Sequence, residues 1–175
     1  IVYDPNLKPQ NTRSYELGAD ISFFNNLVSI NYTYSRQNVK DQIFEVPLAS
    51  STGSSSFMTN GGKIHTNAHE LTVIINPIRF KNVDWNIGIN WSKIDNYVDE
   101  LAPGVESIFL GGFTTPQVRA GIGDKFPVIY GVSYARDDNG NLIVDEDGVP
   151  MAGKDDVIGK VSPDFILGFN TNLRL

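Results

Sequence analysis

Five stretches of this chain alternate apolar and polar residues, and that alternation limits what it can fold into more than any other feature. In the first, Tyr15, Leu17, Ala19, Ile21 and Phe23 interleave with Glu16, Gly18, Asp20 and Ser22. Val28, Ile30, Tyr32 and Tyr34 then interleave with Ser29, Asn31, Thr33 and Ser35. Leu71, Val73 and Ile75 form a third series, and Trp85, Ile87, Ile89 and Trp91 a fourth. Phe165, Leu167, Phe169, Thr171, Leu173 and Leu175 close the chain. Successive side chains of a strand point to opposite faces, so each stretch builds one apolar and one polar face. Aromatic residues sit near the ends of the apolar faces, as they do where a barrel wall meets lipid on its outside and water in its lumen.

Composition agrees. Mean hydropathy is −0.18, as expected when half of every strand is polar. No apolar run approaches the roughly 20 residues of a spanning helix, which excludes a helical membrane protein. The chain opens at Ile1 with neither a charged start nor an apolar segment, so it reads as a processed chain or an internal piece. A net charge of −6 argues against nucleic acid or an anionic surface as partner of the chain as a whole. Cysteine is absent, which removes disulfides, thiolate metal sites and thiol nucleophiles together.

The strands are expected near 13–24, 27–44, 69–79, 85–98 and 164–175. Pro5 and Pro9 mark residues 1–12 as loop. Asn25-Asn26 tolerates positive φ and suits a tight hairpin, and Lys81–Asp84 makes the second short turn. Residues 45–68, with a Ser/Gly tract at 50–56, and residues 99–163 are expected as long loops. Within the second loop, Val128–Tyr134 and Leu142–Val144 read as short strands around Asp137-Asp138-Asn139-Gly140, followed by the turn Asp145–Gly148. Connections thus run short, long, short, long, the rhythm of bacterial barrels with short periplasmic turns and long outer loops. The expected fold is all-β: an antiparallel up-and-down transmembrane β-barrel segment with two long extracellular loops. The barrel is incomplete, because the smallest bacterial barrels have about eight strands and lipid cannot satisfy an open edge.

The sequence also resembles a known family. Leu7-Lys8-Pro9-Gln10-Asn11-Thr12-Arg13-Ser14-Tyr15-Glu16-Leu17-Gly18 with Phe23-Phe24-Asn25-Asn26 is similar to the late barrel region of the SusC/RagA family of TonB-dependent outer-membrane receptors. Further similarities are Lys40-Asp41-Gln42-Ile43, Trp85-Asn86-Ile87-Gly88-Ile89-Asn90-Trp91-Ser92 and Ile129-Tyr130-Gly131. The series ends with Arg136 through Asp145-Glu146-Asp147-Gly148, then Ser162-Pro163-Asp164-Phe165 and Gly168-Phe169-Asn170. The chain departs from the family at Gln10, where Glu is common, and near Lys160, where Asn or Asp is common. It departs again at Thr66-Asn67-Ala68-His69-Glu70, which lacks the Gly that would permit a positive-φ turn.

The resemblance implies that residues 1–175 are the C-terminal part of a receptor barrel of about 22 strands, with the plug domain elsewhere in the full protein. It implies a bacterial outer-membrane importer of glycans or peptides, energised through TonB and working with a SusD-like surface lipoprotein. Outer-membrane lipid is the remaining expected partner, and neither a cofactor nor a catalysed reaction is expected.

The patterns that could carry chemistry fit walls and loops better. His65 and His69 lie four apart beside Glu70, but on a strand that spacing separates them by over 10 Å. Asp137, Asn139 and Asn141 begin like a calcium loop, yet Leu142 occupies the position that needs Gly. Asp155-Asp156 reads as a solvated pair, and Glu16 and Asp20 as part of a water-facing wall. Ser50–Ser56 has no His or Asp in register for a nucleophile. Tyr32, Tyr34, Trp85 and Trp91 alternate outward as girdle residues. The loop aromatics Phe109, Phe113, Phe126, Tyr130 and Tyr134 are the expected contacts for substrate or lid. The rival reading is a soluble all-β carbohydrate-binding module, a β-sandwich whose outward aromatics would be core.

Overall fold

The computed structural model describes residues 1–102 and 104–175, with the backbone alone at Pro47 and Ser50; Pro103, in the second expected loop, lies outside the described residues. The chain divides into two compact units. One comprises Thr12–Val39, His65–Asn96 and Pro163–Leu175, the other Ile1–Asn11, Lys40–Ile64 and Tyr97–Ser162.

The first unit is built on a five-stranded sheet of β2 (Asn11–Phe23), β3 (Val28–Lys40), β6 (Gly62–Arg79), β7 (Asp84–Leu101) and β12 (Ile166–Arg174). Its strand order is β12-β7-β6-β3-β2, so β2 and β12 are edges and the sheet is not closed. The β12–β7 pairing is antiparallel without a shift from Ile166↔Ser92 to Arg174↔Asp84. The β2–β3 turn places Phe24, Asn25 and Asn26 at φ of 53°, 55° and 65°. Asparagine tolerates this region because its short polar side chain bonds locally. Phe24 shares it without that help.

Side-chain contacts fix the two faces. Asn31 donates to Asp20, and the Ser22 and Ser29 hydroxyls meet at 3.1 Å, on the polar face. On the opposite face Leu17, Leu167 and Phe169 are 76%, 62% and 68% exposed. A sandwich would cover such residues; here they stand open, as lipid contacts must. Phe23, Val28, Val73, Ile89 and Phe169 share one row, so the band of apolar side chains crosses the sheet unbroken.

The band does not run square to the strands. Extending the same registers, Leu17, Tyr34, Asn67 and Asp95 fall in one row. On β2 and β3 that row is still apolar, while on β6 and β7 it has already become polar. The apolar band therefore climbs toward the long-loop end by about one residue per strand, as strand tilt in a barrel requires.

β6 and β7 are longer than the alternation suggests. β6 begins at Gly62, not near His69, and β7 runs to Leu101, past Val98. Beyond the apolar band Ile64 on β6 and Val98 and Leu101 on β7 are buried with no strict alternation around them, so the backbone ladder continues without a periodic sequence to announce it. His65 and His69 accordingly lie within β6 and not on a loop end.

The second unit corrects three expectations. The strand expected over 27–44 ends at Lys40. The connections at 45–68 and 99–163, expected as long loops with short strands only at Val128–Tyr134 and Leu142–Val144, form sheets of their own. β4 (Ile43–Pro47), β5 (Ser56–Asn60) and β1 (Val2–Tyr3) form a three-stranded sheet, with β1 parallel to β5. β8 (Ser107–Gly112), β9 (Gln117–Gly121), β10 (Val128–Tyr134) and β11 (Ala152–Lys160) form a four-stranded sheet. Leu142 and Val144, read as part of a short strand, make only single bridges, to Arg136 and Pro150. Ser50–Thr52 makes one 3-10 turn. Phe44, Ile64, Val98, Leu101, Ile108 and Ala120 form the core, which segments distant in sequence build together. These connections fold because they bury apolar side chains of their own, at about 1.5–3 kcal/mol for each large one.

Candidate functional site

On the polar face of the five-stranded sheet, neutral side chains form rungs between β6 and β7. Thr66 donates to Asn96 at 2.7 Å, Thr72 to Asn90 at 3.0 Å, and the Asn86 amide to Asn76 at 2.9 Å. These rungs join β6 to β7 at even positions on both strands. Asn170 leans over Gly88, where a Cβ would collide with its amide, and Gly168 lies beside Asn90. Such a surface sets amide and hydroxyl donors and acceptors beside the carboxylates of Glu16, Asp20 and Glu70, suited to polar cargo. The rungs were not read from the sequence, where Thr66 falls in the expected loop 45–68; matched even-numbered Asn and Thr on two strands joined by a short turn were the available signal.

The apolar face is not uniformly apolar. The Tyr32 hydroxyl meets His69 Nδ1 at 2.8 Å, and the Tyr34 ring lies 5.0 Å from the His69 ring. Tyr34 also donates to Asn67 at 3.2 Å. Nearer the short-turn end, Trp85 donates its indole N–H to Thr171 at 2.9 Å, so that a polar atom of β12 has a partner on the lipid side. Tyr32, Tyr34 and Trp85 thus present an apolar body and a satisfied polar tip, the habit of interfacial aromatics.

In the other unit the five aromatics expected to meet substrate differ sharply. Phe126 packs edge-on against Phe44, with ring centroids 6.4 Å apart, and belongs to the core margin. The Arg119 guanidinium covers Tyr130 at 4.5 Å. Phe109 is partly exposed on β8, opposite Arg119 in the ladder. Phe113 and Tyr134 are the open ones, 82% and 63% exposed. Tyr134 lines an open groove of about 890 Å³ along β10 and β11, together with Val132, Arg136, Lys154 and Asp156. An aromatic face beside mixed charge can hold either a pyranose ring or a peptide group.

Two successive turns carry the acidic residues. Asp137 Oδ1 accepts from the Asn139 and Asn141 amides at 2.9 and 2.8 Å, and Asn141 Nδ2 donates to Asp137 Oδ2 at 3.1 Å. Asp145 repeats the arrangement with the Asp147 and Val149 amides. Gly140 and Gly148, at φ of 84° and 77°, complete the two turns. The carboxylates are occupied in holding backbone, which favours the turn over a calcium loop.

The Asn141 side-chain amide, then backbone N–H groups, hold the Asp137 carboxyl below the ordinary carboxylate range. A depressed folded-state pKa stabilises the turn above the unfolded value and loses that effect as pH falls through the folded one. Amide exchange at Asn139 and Asn141 should therefore be slow at neutral pH and accelerate below about pH 4 beyond its intrinsic pH dependence. Asp137→Ala should be fast at every pH. Unchanged protection in that variant would show that the carboxylate does not organise the turn.

A single sheet with a lipid-fitted face, a hydrogen-bonded polar face and open edges is a segment of a transmembrane β-barrel wall. The chain belongs to the TonB-dependent receptor family: residues 1–167 match its β-barrel domain, described as TonB dependent receptor-like, beta-barrel. It is 26% identical over 194 residues to TonB-dependent receptor P3 of Formosa agariphila, covering 97% of this chain and 19% of that receptor. TonB-dependent receptor P26 of the same organism is 28% identical over 197 residues, with the same coverage. Among solved structures, the RagAB peptide transporter superposes with a TM-score of 0.76 at 18% identity, over 94% of this chain and 20% of that one. The RagAB peptide importer in its closed-closed state gives 0.77 over 98% of this chain. The likeness to the SusC/RagA receptors thus extends from sequence to fold. The chain spans about a fifth of the length of these relatives.

Proposed function

We propose that this chain forms part of the barrel wall and outer vestibule of an outer-membrane nutrient importer. The reading is carried by the family match over residues 1–167, on a sheet whose apolar face is open. Residues 1–175 form the C-terminal part of the barrel in this reading, and the connections at 45–68 and 99–163 lie on the cell exterior. Import draws on TonB, through parts of the receptor outside this chain, and on a SusD-like lipoprotein that covers the vestibule. The wall catalyses no reaction; it guides cargo. The polar rungs and the Tyr134 groove suit oligosaccharides or peptides, and the fold shared with a peptide transporter gives weight to peptides. Phe113 and Tyr134 are the side chains placed to touch cargo or lid; Phe109 and Tyr130 support them, and Phe126 holds the core beneath.

Uptake by intact cells tests this. Deleting the gene of the full-length receptor should abolish import of one class, labelled oligopeptides or labelled oligosaccharides, and inactivating TonB should do the same. Phe113→Ala with Tyr134→Ala should weaken cargo or lid binding by about fivefold each, the loss of one aromatic contact. Unchanged uptake of both classes in the deletion strain would overturn the proposal.

A further inference from the structure

The apolar face ends in the same way on four neighbouring strands. One step beyond the last apolar residue toward the long-loop end stands Arg13 on β2 (after Tyr15), Arg36 on β3 (after Tyr34), His69 on β6 (after Leu71) and Lys93 on β7 (after Trp91). Residues two apart on a strand share a face, so all four lie on the lipid side. The contacts agree: His69 meets Tyr32 and Tyr34, outward residues themselves. Arg13 and Arg36 are exposed, and the Lys93 side chain is 43% exposed. Arg36 reaches Asn38 at 3.4 Å, and Lys93 meets Asp95, one step further out, at 3.5 Å.

The other end of the band differs. There the next outward residues on the same strands are Asn25, Asn26, Arg79 and Val83, with one cation among them. Cationic charge is therefore concentrated at one leaflet. A cation just past an apolar band can extend to the headgroup level while its stem stays in hydrocarbon. Tyr15, Tyr34 and Trp91 sit one step inside, where interfacial aromatics belong. By the strand registers Arg13 and Arg36 lie about 8 Å apart and His69 and Lys93 about 5 Å apart, with about 14 Å between Arg36 and His69, so each pair can take one phosphate of a headgroup that carries two.

We propose that Arg13, Arg36, His69 and Lys93 form a binding site for the phosphorylated headgroup of an outer-leaflet glycolipid. The arginines give forked charge-assisted hydrogen bonds to phosphate, Lys93 a point charge and His69 a donor. The assignment of the leaflet rests on the barrel orientation proposed above. Bound lipid would fasten this sector of wall at a fixed height.

The test uses the full-length receptor, purified in detergent and freed of lipid. Bis-phosphorylated lipid A, enzymatically dephosphorylated lipid A and inorganic phosphate are titrated separately, with bound lipid read by native mass spectrometry. Wild type should bind the phosphorylated lipid, bind the dephosphorylated one about 100-fold more weakly, and show no complex with inorganic phosphate. The variant R13Q/R36Q/K93Q should lose about 100-fold for the phosphorylated lipid, roughly fivefold per cation removed, while R79Q at the opposite end should match wild type. Equal binding of both lipids by wild type would overturn the proposal without recourse to any variant. So would an unaffected triple variant, or an equal loss in R79Q. Fractionation of wild-type cells separates the two readings: absence from the outer membrane counts against the importer, whereas the lipid titration reports on the collar alone.

Discussion

Replacing Ile89 with arginine should destabilise the full-length receptor in lipid by about 2–4 kcal/mol, the cost of a cation facing the bilayer midplane. Ile89 sits opposite Phe169 in the β7–β12 ladder, in a row whose lipid-side residues are apolar on all five strands. Arginine there lies two steps inward of Lys93, too deep for its head to reach water without thinning the bilayer. The neighbouring substitution is the control. Asn90 faces the other way, donated to by Thr72, and its replacement by arginine should cost well under half as much, chiefly a lost hydrogen bond of about 1 kcal/mol. Urea unfolding of the receptor in lipid vesicles measures both. Equal costs would mean that the two faces meet the same medium, and the assignment of lipid to the apolar face would fail.

Gly62→Ala should cost about 2–3 kcal/mol, because the residue would be wrong both for its backbone and for its surroundings. Gly62 opens β6 at φ of 151°, and a Cβ there would press into the Glu100 carbonyl on β7. The obstacle is backbone within a paired ladder, so no side chain can swing aside. Its own carbonyl accepts from the Gln42 N–H at 3.1 Å, tying β6 to the segment before β4. Hydrogen exchange should therefore rise at Ile64, Leu101 and Ile108, members of the core of that unit, and stay slow along β6 and β7 between Leu71 and Trp91. Gly53, at φ of 79° with open space around it, supplies the comparison; alanine there should cost only about 1 kcal/mol. If Gly62→Ala exchanged like Gly53→Ala, the close approach of β6 to β7 would not matter to stability.

The spanning sheet was legible because lipid on one side and water on the other force a period of two, and that period survives in residues such as Leu17, Ile30, Ile89 and Phe169. Past the lipid-facing band that constraint lapses. Lys63, His65, Thr66 and Asn67 belong to β6 but alternate nothing, so the strand reads from sequence as loop. The fold of the connections was hidden for a different reason: β1 pairs with β5 through Val2↔Phe57 and Tyr3↔Met58, a long-range contact that no local pattern encodes. Among the loop aromatics, Phe113 and Phe126 stand in similar Gly- and Pro-rich surroundings, yet one is open and the other covers a core. Only the partner decides, and for Phe126 the partner is Phe44, far earlier in the chain. The rim of basic residues was present in the letters two places past each of the first four apolar runs, but it becomes one surface only when the strand order sets β2, β3, β6 and β7 side by side.

The climb of the apolar band has a consequence for whatever passes along the wall. A stagger of about one residue per strand, set against strands about 4.8 Å apart, leans the strands by roughly 35–40° from the barrel axis. The hydrogen-bonded rows lie across the strands and so slope at the same angle to the membrane plane, like the thread of a screw. Thr72, Asn90 and Gly168 are consecutive points on one such thread. A molecule that exchanges one neutral contact for the next along that row cannot sink straight through the lumen; it must turn as it descends.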